Sequence, residues 1–171
     1  LKEGADDQYA AQAIPVLPGL LPEPARAWRV HHYLSAPPEL VADVIASEQL
    51  LPTWSVESDT YRLDGDVVTV GKGSKTMSVQ FEITRGHRDE VLTVDITQRL
   101  LDTKYAGEAL SYDHFEVRPA PGGSEVIRDT GRRAFGLLGR AIAPFTGRVQ
   151  TWGLLHSRYQ IAFAVADRQA R

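Results

Sequence analysis

The 171-residue chain contains no cysteine and a single methionine. Without a thiol there is no disulfide framework, no Cys-ligated zinc, no iron–sulfur cluster and no thiolate nucleophile. No window offers 18 consecutive apolar residues, so no segment reads as a membrane-spanning helix. Charge of one sign is also missing. The 19 Lys and Arg face 22 Asp and Glu, a formal net charge of -3, where a general nucleic-acid binder would carry a basic surplus. Three catalytic templates are absent: the Gly-x-Ser-x-Gly elbow, the dinucleotide fingerprint and the phosphate-cradling loop. Gly71-Lys72-Gly73-Ser74-Lys75 lacks the upstream glycine of a phosphate loop and runs into a strand pattern. What remains is an ordinary globular composition, 43% hydrophobic and 24% charged. A domain of this length buries roughly 70% of the surface its unfolded chain exposes, enough to fold without a metal or a crosslink. A cysteine-free domain of this kind is expected in the cytoplasm.

Residues 1–25 form a proline-rich arm, and residues 26–171 the domain proper. Pro15, Pro18, Pro22 and Pro24 forbid a helix there, while Ile14, Val16, Leu17, Leu20 and Leu21 are too apolar for a free linker. The arm is therefore expected to lie against the domain or a neighbouring subunit. Residues 27–34 alternate as a strand, with Trp28, Val30, His32 and Leu34 on one face and His31 on the other. Ser35-Ala36-Pro37-Pro38-Glu39 reads as a helix start, with Ser35 in the cap region and prolines in the first turn. That helix carries Leu40, Val41, Val44 and Ile45 and stops by Pro52, with Trp54 just beyond.

From 56 to 134 the period is two, broken by turn signals at Leu63-Asp64-Gly65-Asp66, Gly71-Lys72-Gly73, Arg85-Gly86-His87-Arg88-Asp89 and Pro119-Ala120-Pro121-Gly122-Gly123. Met77, Val79, Phe81 and Ile83 alternate with polar residues. Thr93, Asp95, Thr97 and Arg99 form a solvated face opposite Leu92, Val94, Ile96 and Leu100. A strand follows over about 105–118, and Val126 to Phe135 is the last. Leu138, Ile142, Phe145, Val149, Trp152, His156, Tyr159 and Phe163 are then spaced 4-3-4-3-4-3-4, one continuous helical stripe with Pro144 as a kink. An antiparallel meander buries its apolar face by wrapping around such a helix.

This order of elements resembles the START/SRPBCC helix-grip superfamily, which includes polyketide cyclases and dehydrases, aromatase–cyclases and lipid-transfer proteins. The resemblance covers roughly residues 27–168. It rests on Leu34-Ser35-Ala36-Pro37-Pro38-Glu39-Leu40-Val41, on Trp54, on Val70-Gly71-Lys72-Gly73, on Pro121-Gly122-Gly123-Ser124-Glu125-Val126 and on the terminal helix. Ser124 departs from it, since Thr is frequent there in the family, and so does the proline-rich arm. The resemblance implies an α+β fold, a curved antiparallel sheet wrapped around a long C-terminal helix, with a cavity between them for an apolar or aromatic molecule.

Trp152, His156 and Tyr159 support such a pocket independently, because buried Trp, His and Tyr each demand a partner that a pure core would avoid. The competing reading makes His156 and Tyr159 core residues bonded to each other or to backbone. His32 points inward from its strand. A His31/His32 metal pair is excluded by alternation, and His156 has Gln160 rather than a ligand one turn on, so no metal site is expected. Arg128 enters the cavity if the last strand is irregular at Ile127, and the resemblance implies a pocket arginine that binds a carbonyl or enolate oxygen. Of Asp113 and His114, one faces in. His87 is expected on the surface, and Arg132, Arg133, Arg140 and Arg148 on a solvated rim.

The expected function is a cofactor-independent cyclisation or dehydration of a small, polyketide-like molecule. His156 or His32 would move protons and Tyr159 or Arg128 would stabilise an enolate, within a wall of Trp54, Trp152, Met77, Phe81, Phe145 and Val149. The alternative is a non-catalytic carrier or sensor of a lipid or aromatic ligand. A third reading gives the arm a partner, as a homodimer contact. No nucleic acid and no membrane span enter any of them.

Overall fold

Period-two alternation builds one antiparallel sheet. The computed structural model describes residues 11–21, 25–47, 50, 60–72, 75–101, 106–133 and 147–171. Its elements are β1 (Gln12–Ile14), β2 (Ala25–Leu34), α1 (Pro38–Ile45), β3 (Thr60–Asp64), β4 (Val67–Lys72), β5 (Lys75–Arg88), β6 (Val91–Leu100), β7 (Ala109–Ala120), β8 (Gly123–Arg133) and α2 (Gly147–Ala170). β3 to β8 follow one another as neighbours, and β2 closes onto β8, giving the order β1-β2-β8-β7-β6-β5-β4-β3. α1 packs on β6, β7 and β8, and α2 packs on α1 and β2. This is the expected α+β helix-grip arrangement, with the C-terminal helix on one face of the sheet. Pro52, Trp54, Phe145 and the expected helix start with Leu138, Ile142 and Pro144 lie outside the described residues.

The core forms where α1 and the C-terminal half of α2 meet the sheet. Val41, Val44 and Ile45 of α1, Ile161 and Val165 of α2, and Phe81, Val94, Ile96, Phe115, Val117 and Val126 of the sheet are buried together. Each such aliphatic or aromatic side chain contributes about 1.5–3 kcal/mol by leaving water. Ser124 Oγ donates to the Ala36 carbonyl at 2.6 Å, fixing the entry into α1.

Three local expectations are corrected. Pro37, not Ser35, is the α1 cap, and it makes no side-chain capping bond. The Ser35 carbonyl instead accepts from Gln169 Nε2 at 3.2 Å. Residues 85–88 do not turn but continue β5, paired as far as Arg88↔Val91. The chain reverses at Asp89 (φ 57), a residue type that tolerates the left-handed region. Gly86 serves close pairing here: a Cβ at this position would stand 2.4 Å from Thr93 Oγ1.

The third correction concerns α2. Among its described side chains the buried ones are Leu154, Ser157, Ile161 and Val165. His156 is exposed, as are Tyr159 (56%) and Phe163 (76%). Two stripes of helical period compete in this segment, and Tyr159 lies roughly 200° around the helix from Ile161. The sheet already presents Trp28, Phe115 and Arg128, so the smaller stripe, with Ser157 and flanked by the partly buried Ala162 and Ala164, is the one that approaches.

Part of the arm lies on the domain. β1 pairs with β2 through Gln12↔Arg29, Ala13↔Trp28 and Ile14↔Ala27. Ile14, Val16, Leu17 and Leu21 pack with Ala27, Ala109 and Tyr112 on the face away from the helices. Tyr112 lies across Gly131, where a Cβ would be 2.1 Å from the ring. Its hydroxyl accepts from the Leu17 amide at 3.1 Å.

Candidate functional site

Antiparallel register sorts the face covered by the helices into rows across β2, β8, β7 and β6. At one end stands His32–Val126–Val117–Leu92, and next Val30–Arg128–Phe115–Val94. Trp28–Thr130–Asp113–Ile96 follows, then Arg26–Arg132–Ser111–Gln98. The face is therefore dry under α1 and grows polar toward the Arg26 row. The pairing of β6 with β7 shifts just after Gln98, a bulge that re-aims the neighbouring side chains.

Arg128 sits at the centre. It is buried on the inner face with the β2–β8–β7 register unbroken through it, so no irregularity at Ile127 is required. Its Nε donates to Asp113 Oδ1 at 2.7 Å, and its Nη1 to Ser157 Oγ at 2.6 Å. Its guanidinium lies 5.2 Å from the Phe115 ring centroid. Ser157 Oγ in turn donates to the Leu154 carbonyl at 2.9 Å. The pair ties β8, β7 and α2 together with its charge neutralised in place. Of the dipeptide Asp113-His114, the acid is the member that faces in. His114 faces out, with Nδ1 2.6 Å from Asp95 Oδ1.

His32 also faces in, as alternation requires, and is 4% exposed. Burial first, then the charges of Arg128, Arg158 and His31, push its pKa down to about 3. The imidazole is therefore neutral at physiological pH, with one N–H donor and one acceptor nitrogen. Neither nitrogen has a hydrogen-bond partner, and the same holds for Gln98 Nε2 and Ser111 Oγ. Gln98 (6% exposed) and Ser111 (2%) are register partners in the last row. Buried polar atoms are ordinarily satisfied, because leaving one unmet costs about 1–3 kcal/mol. Two such atoms stand side by side in the last row, on a face otherwise built for packing.

The other anticipated residues fall as follows. Phe81 is buried on the inner face, in line with Gln98, and Met77 is partly buried against the core. His156 and Tyr159 face away from the sheet, and the Tyr159 ring carries the Arg158 guanidinium at 4.9 Å. Val149 and Trp152 belong to α2, but their side chains are outside the described ones, and Trp54 and Phe145 lie outside altogether. His87 is exposed, within β5, and Thr93, Asp95, Thr97 and Arg99 occupy the outer face, where Arg99 Nε meets Glu82 at 2.9 Å. Gln98, Ser111 and Ser157 were not anticipated. The signal for them was a polar residue at a position whose parity is otherwise apolar. Among the described residues no group of three His, Asp or Glu side chains is placed to hold a metal ion. No helix among them is long and apolar enough to cross a membrane.

No protein-family model and no curated protein matches the chain. Solved structures do match its fold. A protein of unknown function from Staphylococcus aureus superposes with a TM-score of 0.59 at 12% identity, covering 86% of this chain and 97% of its own. A protein from Arthrobacter aurescens gives 0.57 at 8% identity, covering 91% of each chain. One from Rhodobacter sphaeroides gives 0.54 at 12% identity, over 92% of this chain and 99% of its own. At these identities the likeness is one of fold. It extends over nearly the whole of each partner, so the sheet and its gripped helix are a recurrent unit.

Proposed function

We propose that the protein binds a small, largely apolar molecule between the inner face of its sheet and α2. The observation that carries this reading is the adjacent, buried and unpartnered pair Gln98 Nε2 and Ser111 Oγ. Small-molecule sites are mostly apolar walls with a few placed polar groups. Phe81, Leu100 and Trp28 beside these donors supply that composition. Native mass spectrometry of freshly purified protein tests the proposal. A copurifying small molecule is expected in the wild type and not in Ser111→Leu, which removes the hydroxyl and adds apolar bulk at the proposed site. Equal retention by both would overturn it.

A finer reading adds cyclisation or dehydration of the bound molecule, and the buried His32 imidazole beside the Arg128 charge favours it over a purely passive cavity. The chemistry then passes from His156 and Tyr159, which face solvent, to His32 and Arg128. An imidazole held neutral at pH 7 is a weak base, so its part is to orient and share a hydrogen bond with a carbonyl rather than to remove a proton outright. Turnover of the true substrate that survives His32→Ala unchanged would leave the carrier or sensor reading in possession.

A further inference from the structure

The kind of atom left unmet at the end of the covered face narrows what can meet it. In Gln98 that atom is Nε2, an amide NH2 that donates and cannot accept. In Ser111, its register partner on β7, it is Oγ, whose hydrogen rotates to suit an acceptor. Both side chains are more than nine-tenths buried. Directly opposed residues carry their Cβ atoms about 4.5–5.5 Å apart, so one oxygen between them is within reach of both donors. One row further in, the polar side chains are served: Thr130 Oγ1 donates to the Tyr112 carbonyl at 3.4 Å, and Asp113 accepts from Arg128. Among the buried side chains of these two rows, the unmet capacity is therefore a pair of neutral donors. Phe81 is the register partner of Gln98 on β5, and Leu100 follows Gln98 on the same side of β6. Along the strands toward α1 the way closes two rows on, where Arg128 bonds Ser157 of α2. Two rows span about 13 Å, room for a body of two fused rings and not for a long extended chain.

We infer that Gln98 and Ser111 form a two-donor anchor for a carbonyl oxygen, and that the molecule bound here is an uncharged aromatic carbonyl compound, its rings laid toward Phe81. This rests on the binding reading above and deepens it by naming the ligand's anchoring group, its charge and its size. A carbonyl oxygen has two lone pairs, one for the Gln98 amide and one for the Ser111 hydroxyl. A carboxylate would carry its charge onto neutral donors in a dry place, and Arg128, the buried cation of this face, is already engaged by Asp113. A hydrocarbon would leave both donors as they are, at the full cost of their desolvation.

The test is a fluorescence titration of the full chain with three probes on one dimethylaminonaphthalene body. The first carries a propionyl ketone, the second a propyl group without the oxygen, and the third a carboxylate in place of the ketone. Wild type is expected to bind the ketone about tenfold or more tightly than either of the others, the scale of two net hydrogen bonds. Gln98→Met/Ser111→Ala keeps the bulk of the row while removing both donors, and it should abolish the preference for ketone over propyl. The infrared spectrum of the ketone bound to wild type needs no variant: its carbonyl stretch should fall below that of the same ketone in an alkane. Equal wild-type affinities for ketone and propyl probe, an unshifted carbonyl band, or a preference that survives in the double variant overturns the carbonyl anchor and leaves the pocket reading standing. Tighter binding of the acid than of the ketone overturns the assignment of an uncharged ligand. Binding of none of the three overturns the pocket reading as well.

Discussion

Acid should unfold this protein through His32 in a way that can be isolated. The imidazole titrates near 6.5 when the chain is unfolded, whereas burial and the neighbouring cations hold it at about 3 in the fold. Above pH 6.5 neither state carries the proton, and His32 contributes no pH dependence. Below that value the unfolded chain binds a proton that the folded one refuses, so stability falls as pH falls. The slope is about 1.4 kcal/mol per pH unit, and it ends near pH 3, where the folded form protonates as well. Over the whole window the loss is about 5 kcal/mol, and by about pH 4.5 it already reaches about 3 kcal/mol, a large part of a typical domain's total. Urea unfolding of wild type and His32→Leu at pH 7 and at about pH 4.5 measures it, because carboxylates titrate in both proteins and cancel in the difference. Whatever the substitution does to packing at neutral pH, its stability relative to wild type should improve by about 3 kcal/mol on acidification. Parallel stability curves for the two proteins would refute the claim that His32 is held neutral by its surroundings.

Other consequences follow from the same contacts. Arg128→Met leaves Asp113 buried without its cation and should cost about 3–5 kcal/mol in urea unfolding, while Arg128→Met/Asp113→Leu, which removes both charges, should recover much of that loss. Gly131→Ala drives a methyl into the Tyr112 ring. It should cost about 1–3 kcal/mol and speed hydrogen exchange at the Leu17 amide as the arm loosens. The orientation of α2 is checked by two thermal melts. Ile161→Ala should destabilise by about 2–5 kcal/mol, and Tyr159→Ser/Phe163→Ser by less than about 1 kcal/mol, since those rings face water. The reverse ranking would restore the stripe expected from spacing.

The sheet was legible because alternation and turn chemistry are local. Asp64-Gly65 turns β3 into β4 with Gly65 at φ 62, and Pro121-Gly122 separates β7 from β8 with Gly122 at φ 76. Local signals mislead where two of them compete. The glycine and charges at 85–88 look like a turn, yet pairing to β6 over four more residues outweighs the preference of that short segment. The terminal helix is the sharper instance. The 4-3-4-3 spacing suggested that Tyr159 and Phe163 are on its buried side, but of two competing stripes the one buried is the one for which the partner surface has room. Room depends on what the sheet and α1 have already placed there, and no periodicity within residues 147–170 reports it.

The site was half legible for a related reason. Strand parity placed His32 and Phe81 on the covered face, and the same rule, followed strictly, also assigns that face to Gln98, Ser111 and Asp113. Along β6 the inner positions read Leu92, Val94, Ile96, Gln98, Leu100, and along β7 Ser111, Asp113, Phe115, Val117. A polar residue in such a series reads as noise while each strand is taken alone. Register makes it a pattern, because Gln98 and Ser111 are opposite each other and Arg132 and Arg26 continue the line. The separations involved, 13 residues from Gln98 to Ser111 and 85 from there to Arg26, are long-range pairings fixed by the order of strands in the sheet. Arg128 shows the converse. Its inward direction follows from parity with Val126 and Thr130, but its partners come from β7 and α2, and those partners turn a charged side chain in an apolar wall into a neutral clasp between sheet and helix. That clasp joins sheet and helix at the centre of the face, and the unpaired donors of Gln98 and Ser111 stand in the next row but one.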